Sequence, residues 1–268
     1  MDTIQNNTQQ HLRDTALRYG LVDTLRGITV ISMVLYHLCW IGNHFGLIVN
    51  TQTLYGTAFI IWQRSICMSF IVISGFCFSF GKRHLKYGLI LSAIGACITL
   101  LTIFFVPDLK IIFGILTFLG SAMMITIPVD KAYKSAGEIS TPVKMVMLII
   151  SIFLFIFTYR INRGYVGLPY IFQIDVPQSI YRGYAATYLG FMQPGFFSAD
   201  YFSVIPWYFL YICGYMLNKL VMGSNMSHRF MTKSIPGIRF VGRHSLLIYL
   251  IHPVILFLVF YTACFTAN

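Results

Sequence analysis

Leu25-Arg26-Gly27-Ile28-Thr29-Val30-Ile31-Ser32-Met33-Val34-Leu35-Tyr36-His37 is an apolar run with a charge near its start and an imidazole at its end, and it continues to His44. Read as a membrane-spanning helix, it aligns its polar residues. At roughly 100° per residue, the intervals from Arg26 to His37 and from His37 to His44 both return to within ~20° of the starting direction. Asp23, one turn before Arg26, joins the same side. With a rise of ~1.5 Å per residue, His37 lies ~16 Å and His44 ~27 Å from Arg26, so the stripe runs from one membrane surface to the other. Ionisable groups are costly in hydrocarbon, and such a stripe is expected to face a bundle interior or a wet cavity.

Composition agrees with a membrane protein. The chain of 268 residues is 57% hydrophobic and only 10% charged, with a mean hydropathy of +0.73. Those values exclude an ordinary soluble domain. Windows of ~20 residues give about seven spans, near 27–47, 58–80, 87–106, 111–129, 144–159, 201–220 and 245–264. The expected fold is all-α, a polytopic membrane helical bundle of about seven transmembrane helices. No internal repeat, low-complexity tract or inverted pair of halves is visible. The expected division is a cytoplasmic tail over 1–22 and one transmembrane domain over 23–268.

A net charge of +11 could suggest nucleic acid. The charges fall in alternate loops instead, as the positive-inside rule requires, and no nucleic-acid partner is expected. Lys82, Arg83, Lys86, Lys131, Lys134, Lys144, Lys219, Arg229, Lys233, Arg239 and Arg243 share one side with Arg13, Arg18 and Arg26; the other side holds only Lys110, Arg160, Arg163 and Arg182. The amino terminus is therefore expected in the cytoplasm, and the odd span count puts the carboxyl terminus outside. The polar tail includes Gln5 to Gln10 and lacks a signal-peptide core, with an interfacial helix expected around Leu17 to Leu21. The plasma membrane is the expected location. The outer segment 160–200 is aromatic and Gly-rich, and is expected to fold over the outer mouth. Within it, 178–191 reads as a re-entrant stretch or a short extra helix. Six cysteines fall in or at the ends of spans, without a CxxC pair, and read as packing residues.

Several residues could carry chemistry. A neutral imidazole at His37 suits proton transfer near neutral pH. Arg26 either pairs with Asp23 as an interfacial anchor or meets the phosphates of a cytosolic cofactor. His44 is a second acid/base candidate or an interfacial histidine. Arg64 either snorkels outward or finds a polar or anionic partner in the same cavity as His37. His252 precedes Pro253, where a kink with a local hydrogen bond is the plain expectation. Asp200 opens the sixth span as a helix cap or as an acceptor contact. Metal-ligand spacing, a phosphate-cradling glycine loop and a nucleophilic serine elbow are all missing, so no metal is expected.

Four motifs run in order along the chain: Asp23-Thr24-Leu25-Arg26-Gly27 followed by His37, Ile73-Ser74-Gly75-Phe76, Asp200-Tyr201-Phe202-Ser203-Val204-Ile205-Pro206-Trp207, and Phe240-Val241-Gly242-Arg243-His244-Ser245-Leu246-Leu247-Ile248-Tyr249-Leu250-Ile251-His252-Pro253. As a set they resemble the heparan-alpha-glucosaminide N-acetyltransferase-like catalytic domain of the transmembrane acyltransferase superfamily. The resemblance implies acetyl-CoA as co-substrate from the cytosol. It also implies a small-molecule or saccharide acceptor, presenting an amino or hydroxyl group, at the outer side. On that basis His37 or His44 is the base, Arg26, Arg243, Lys82 and Arg83 hold the cofactor's phosphates, and Arg64, Asp200 and His252 contact the acceptor. His37 matches the histidine of the broader superfamily. Lysosomal members carry Asn there and a histidine further outward, nearer to His44, so both stay open. Thr117 stands where His or Gln is common, and Ser203 replaces a usual Pro. Lysosomal members are also longer, and heparan sulfate itself is not the expected acceptor. The lipid bilayer is the remaining partner, with a homodimer left open. Two other functions fit the residues alone: a proton-coupled transporter using the stripe as a relay, and an assembly partner that has lost catalysis.

Overall fold

The computed structural model describes residues 20–47, 50–168, 171–222 and 231–267. Arg13, Arg18, Arg229, the Gln5 to Gln10 stretch and most of the expected interfacial helix fall outside them. The elements in order are α1 (Gly20–His44), α2 (Thr51–Leu54), α3 (Thr57–Phe78), α4 (His84–Phe105), α5 (Ile115–Ser135), α6 (Thr141–Thr158), β1 (Tyr165–Leu168), β2 (Phe172–Asp175), α7 (Gly183–Leu189), α8 (Val204–Val221), α9 (Pro236–Arg243) and α10 (Ser245–Ala267). Seven of these, α1, α3, α4, α5, α6, α8 and α10, are long and apolar enough to cross a membrane. The protein is a multi-pass helical membrane protein. Its outer surface agrees: Phe104 and Phe105 on α4 are 77% and 78% exposed, which suits lipid rather than water.

The helix ends shift from the expected spans for identifiable reasons. α5 continues six residues past 129, so Lys131 and Lys134 are helical rather than in a loop. Pro128 lies inside α5 and removes one backbone bond. Beyond it, Lys134 closes an i,i+4 ion pair on Asp130 at 2.6 Å, and Asp130 also accepts from Tyr215 at 2.8 Å. The segment 178–191 holds a 3-10 turn and α7, whose seven residues cover only ~10 Å and cannot span. The expectation of an all-α chain misses one small feature, the antiparallel hairpin of β1 and β2, paired from Tyr165 with Asp175 to Leu168 with Phe172.

The chain forms two compact units, Met1–Ile73 with Met222–Asn268, and Ser74–Val221. In the first, α1 packs against α9 and α10. Its core is Val30, Met33, Tyr36 and Ile66, flanked by Trp62, Val241 and Ile248, with the Trp62 indole N–H donating to the Ser32 hydroxyl at 2.8 Å. In the second unit α4 packs on α5 and α6 on α8, and β1 lies against α6. Lys219 on α8 reaches Asp130 on α5 at 3.4 Å.

The α1–α9 contact is a backbone contact. A Cβ placed on Gly27 would lie 2.1 Å from the Ile238 carbonyl oxygen, and one on Gly242 would lie 1.8 Å from that of Asp23. No larger residue fits either place without moving a helix. The Thr24 hydroxyl adds to this contact, donating to the Gly20 carbonyl at 2.8 Å and accepting the Ile235 N–H at 3.2 Å where α9 begins.

Gly to Ala in a helix ordinarily stabilises by about 1 kcal/mol, whereas overpacking costs about 1–3 kcal/mol. Gly237, also on α9, has nothing within 4 Å of its virtual Cβ. In thermal melts of detergent-purified protein, Gly237→Ala is expected to be neutral or stabilising and Gly242→Ala destabilising. Equal melting temperatures for the two variants would contradict the backbone contact.

Candidate functional site

α1 is unbroken from Gly20 to His44, so Asp23, Arg26, His37 and His44 are carried on one rigid rod. Asp23 sits between two guanidiniums at its first turns. Arg26 Nη1 is 3.2 Å from Asp23 Oδ1, and Arg243 Nε is 3.4 Å from Asp23 Oδ2. The pairing of Arg26 with Asp23, open in the sequence, is made. Arg243 reaches the same carboxylate because Gly242 lets α9 lie against the α1 backbone. Asp23 is thus shared by two guanidiniums, each of which offers five N–H donors. Such a group can hold an additional anion.

Farther along α1 the partner of His37 is His252. His252 Nε2 lies 3.2 Å from His37 Nδ1, with ring centroids 4.8 Å apart and planes inclined at 57°. The other nitrogen of His252, Nδ1, lies 2.9 Å from the Ile248 carbonyl one turn back on α10. His252 is only 6% exposed, and the Tyr36 ring stands edge-on to His37. The local hydrogen bond expected at His252 is present, but the ring also reaches a second helix. His37, half-buried, and His252, buried, therefore form an imidazole pair between α1 and α10.

The other sequence candidates lie elsewhere. His44 is the last residue of α1, exposed, with its ring edge-on to Phe45 rather than near His37. Arg64 is exposed on α3. Lys82 and Arg83 are exposed in the turn between α3 and α4, within the second unit. Asp200 does cap a helix, though not the one it precedes in sequence. Its Oδ2 accepts the Ile115 N–H at 3.0 Å, at the start of α5, and Ser198 joins the same junction by accepting the Ile112 N–H at 2.9 Å. Desolvation pushes the Asp200 carboxyl up from its ordinary range to about 6, with the Ile115 N–H opposing the shift.

One ionisable centre escaped the sequence reading. Asp130 is 7% exposed and gathers Lys134, Lys219 and the Tyr215 hydroxyl. Lys219 also stands over the Tyr133 and Tyr215 rings, at 5.1 and 4.7 Å from their centroids. The signal available was an acid in an apolar helical window with a lysine four residues later.

Comparison with known proteins adds one result. Residues 18–254 match the family described as heparan-alpha-glucosaminide N-acetyltransferase, catalytic. No curated protein and no solved structure matches the chain.

A carboxyl whose folded value is raised favours the protonated fold, so its contribution is greatest below the ordinary carboxylate range and is lost as pH rises through about 6. Asn at position 200 can still accept the Ile115 N–H but cannot ionise. The melting temperature of the wild type minus that of Asp200→Asn is expected to fall between about pH 4 and 6.5. A difference that stays flat across this window would show that the carboxyl is not desolvated.

Proposed function

The chain belongs to the heparan-alpha-glucosaminide N-acetyltransferase catalytic family, a family of membrane acetyltransferases, and from that premise we propose the reaction it performs. Acetyl is taken from cytosolic acetyl-CoA and passed to an amino or hydroxyl group of a saccharide-type acceptor at the outer side of the plasma membrane. The observation that carries this reading is the His37–His252 pair, two imidazoles 3.2 Å apart inside membrane-spanning helices. Packing alone has no use for such a pair, and buried polar groups in a membrane mark function by default.

The amino terminus is proposed to face the cytoplasm, because the loops on that side hold most of the Lys and Arg. Arg26 and Arg243 then lie at the cytoplasmic end and contact the donor's phosphates. His37 is ~16 Å farther along α1. A donor with phosphates at one end and a thioester at the other suits that separation. His37 takes the proton from the acceptor as its nitrogen or oxygen forms a bond to the acetyl carbon. The carbon–sulfur bond breaks, and the same proton is returned to the leaving thiolate. Arg64 is proposed as an acceptor-side contact. Asp200 and His252 already have partners, the Ile115 N–H and the His37 ring, so neither needs to bind acceptor directly.

A charge-assisted hydrogen bond contributes about 1.5–3 kcal/mol, so Arg26→Gln is expected to weaken acetyl-CoA binding by about tenfold or more in calorimetry. Folded wild-type protein that binds no acetyl-CoA would contradict the donor assignment. Loss of a general base costs ~10²–10⁴ in rate. Turnover with glucosamine as a probe acceptor is expected to fall on that scale in His37→Ala and far less in His44→Ala. The reverse order would make His44 the base.

A further inference from the structure

We infer that His252 is a positioning residue that fixes the tautomer of His37, leaving the Nε2 lone pair of His37 as the site's base. This inference rests on the acetyl-transfer reading for its purpose, but not for its geometry.

The argument starts from an atom that cannot donate. The Ile248 carbonyl oxygen is an acceptor only, so the 2.9 Å contact from His252 Nδ1 is a hydrogen bond only when that nitrogen carries the proton. In a neutral imidazole one nitrogen donates and the other accepts. His252 Nε2 is therefore an acceptor. Its neighbour at 3.2 Å is His37 Nδ1, which must then be the N–H of its own ring. The chain of bonds runs from His37 Nδ1–H to His252 Nε2, and from His252 Nδ1–H to the Ile248 carbonyl. Only His37 Nε2 is left with its lone pair, and among the described residues no hydrogen bond to it is found.

Proline strengthens the far end of this chain. Pro253 has no N–H, so α10 lacks the backbone bond that would run from residue 253 to Tyr249. The turn holding Ile248 and Tyr249 thus sits where the helix ladder is weakened, and the His252 ring supplies a side-chain bond across it. At the near end, the edge-on Tyr36 ring and the Trp62 ring packed against it restrict where the His37 ring can turn. Both rings are held, so the proton positions follow from acceptor chemistry rather than from solvent.

A neutral histidine side chain free in water prefers its proton on Nε2. Without His252 as acceptor, His37 is expected to revert to that tautomer, which leaves its only lone pair on Nδ1, facing position 252 on α10, and puts an N–H where the base's lone pair had been. A side chain with a carbonyl at the place of Nε2 would preserve the arrangement. Gln at position 252 provides one, and Phe does not.

The test is ring-¹⁵N NMR of the full chain labelled with ¹⁵N-histidine in liposomes, with the His37 resonances assigned by their loss in His37→Ala. Wild type is expected to show Nδ1 of His37 protonated and Nε2 unprotonated. His252→Phe is expected to reverse the two and to lower acetyl transfer by about tenfold or more. His252→Gln is expected to restore the wild-type pattern and most of the rate. An Nε2–H or doubly protonated His37 in wild type, or a His252→Phe spectrum unchanged at His37, overturns the inference. The predicted spectra in a wild type that transfers no acetyl group would uphold the tautomer assignment and remove the enzymatic reading instead.

Discussion

The first unit depends on how closely α9 approaches the backbone of α1. Two glycines set that distance, Gly27 on α1 and Gly242 on α9, each lying against a carbonyl oxygen of the facing helix. The consequences run in both directions from this crossing. Toward the start of α1, Arg243 follows Gly242 and reaches Asp23. Away from it, His37 lies ten positions beyond Gly27, and His252 ten positions beyond Gly242. α10 starts at Ser245, directly after α9, and places the His252 ring 3.2 Å from that of His37.

The charges inside the helical region follow a single rule. Asp23 lies between Arg26 and Arg243, Asp130 takes Lys134, Lys219 and Tyr215, and His252 is satisfied at both ring nitrogens. An unpaired charge or donor at such positions is costly, which is why each acid has acquired more than one partner. His37 is different: the Tyr36 and His252 rings hold it, and among the described residues only its Nδ1 has a hydrogen-bond partner. Ion pairs and the imidazole proposed as the base thus occupy the same kind of environment, and the partner set distinguishes them.

Much of this was legible in the chain. Seven spans could be read from apolar windows, since length and hydropathy are sufficient for membrane helices. The alignment of Asp23, Arg26, His37 and His44 followed from helical periodicity, and α1 is continuous through all four. The pairing of His37 with His252 was not legible. Periodicity reports only neighbours on one helix, and these residues are 215 positions apart. The same limit hid the bond from Asp200 to Ile115, because a helix cap supplied from a distant loop leaves no local spacing. The β1–β2 hairpin went unread because its strands are four residues each, too short for a clear alternation. Asp130 is hidden for a different reason: the apolar window ends at 129, whereas α5 runs on to Ser135.

The central claim is that one helix carries a donor clamp at one membrane face and a base at mid-depth, so that acetyl crosses from one side to the other. The most direct measurement uses sealed proteoliposomes, with radiolabelled acetyl-CoA outside and glucosamine trapped inside. Only molecules whose Asp23–Arg26–Arg243 end faces outward can use that donor, and the expected result is labelled N-acetylglucosamine in the lumen. Labelling that requires donor and acceptor in the same compartment would contradict the account.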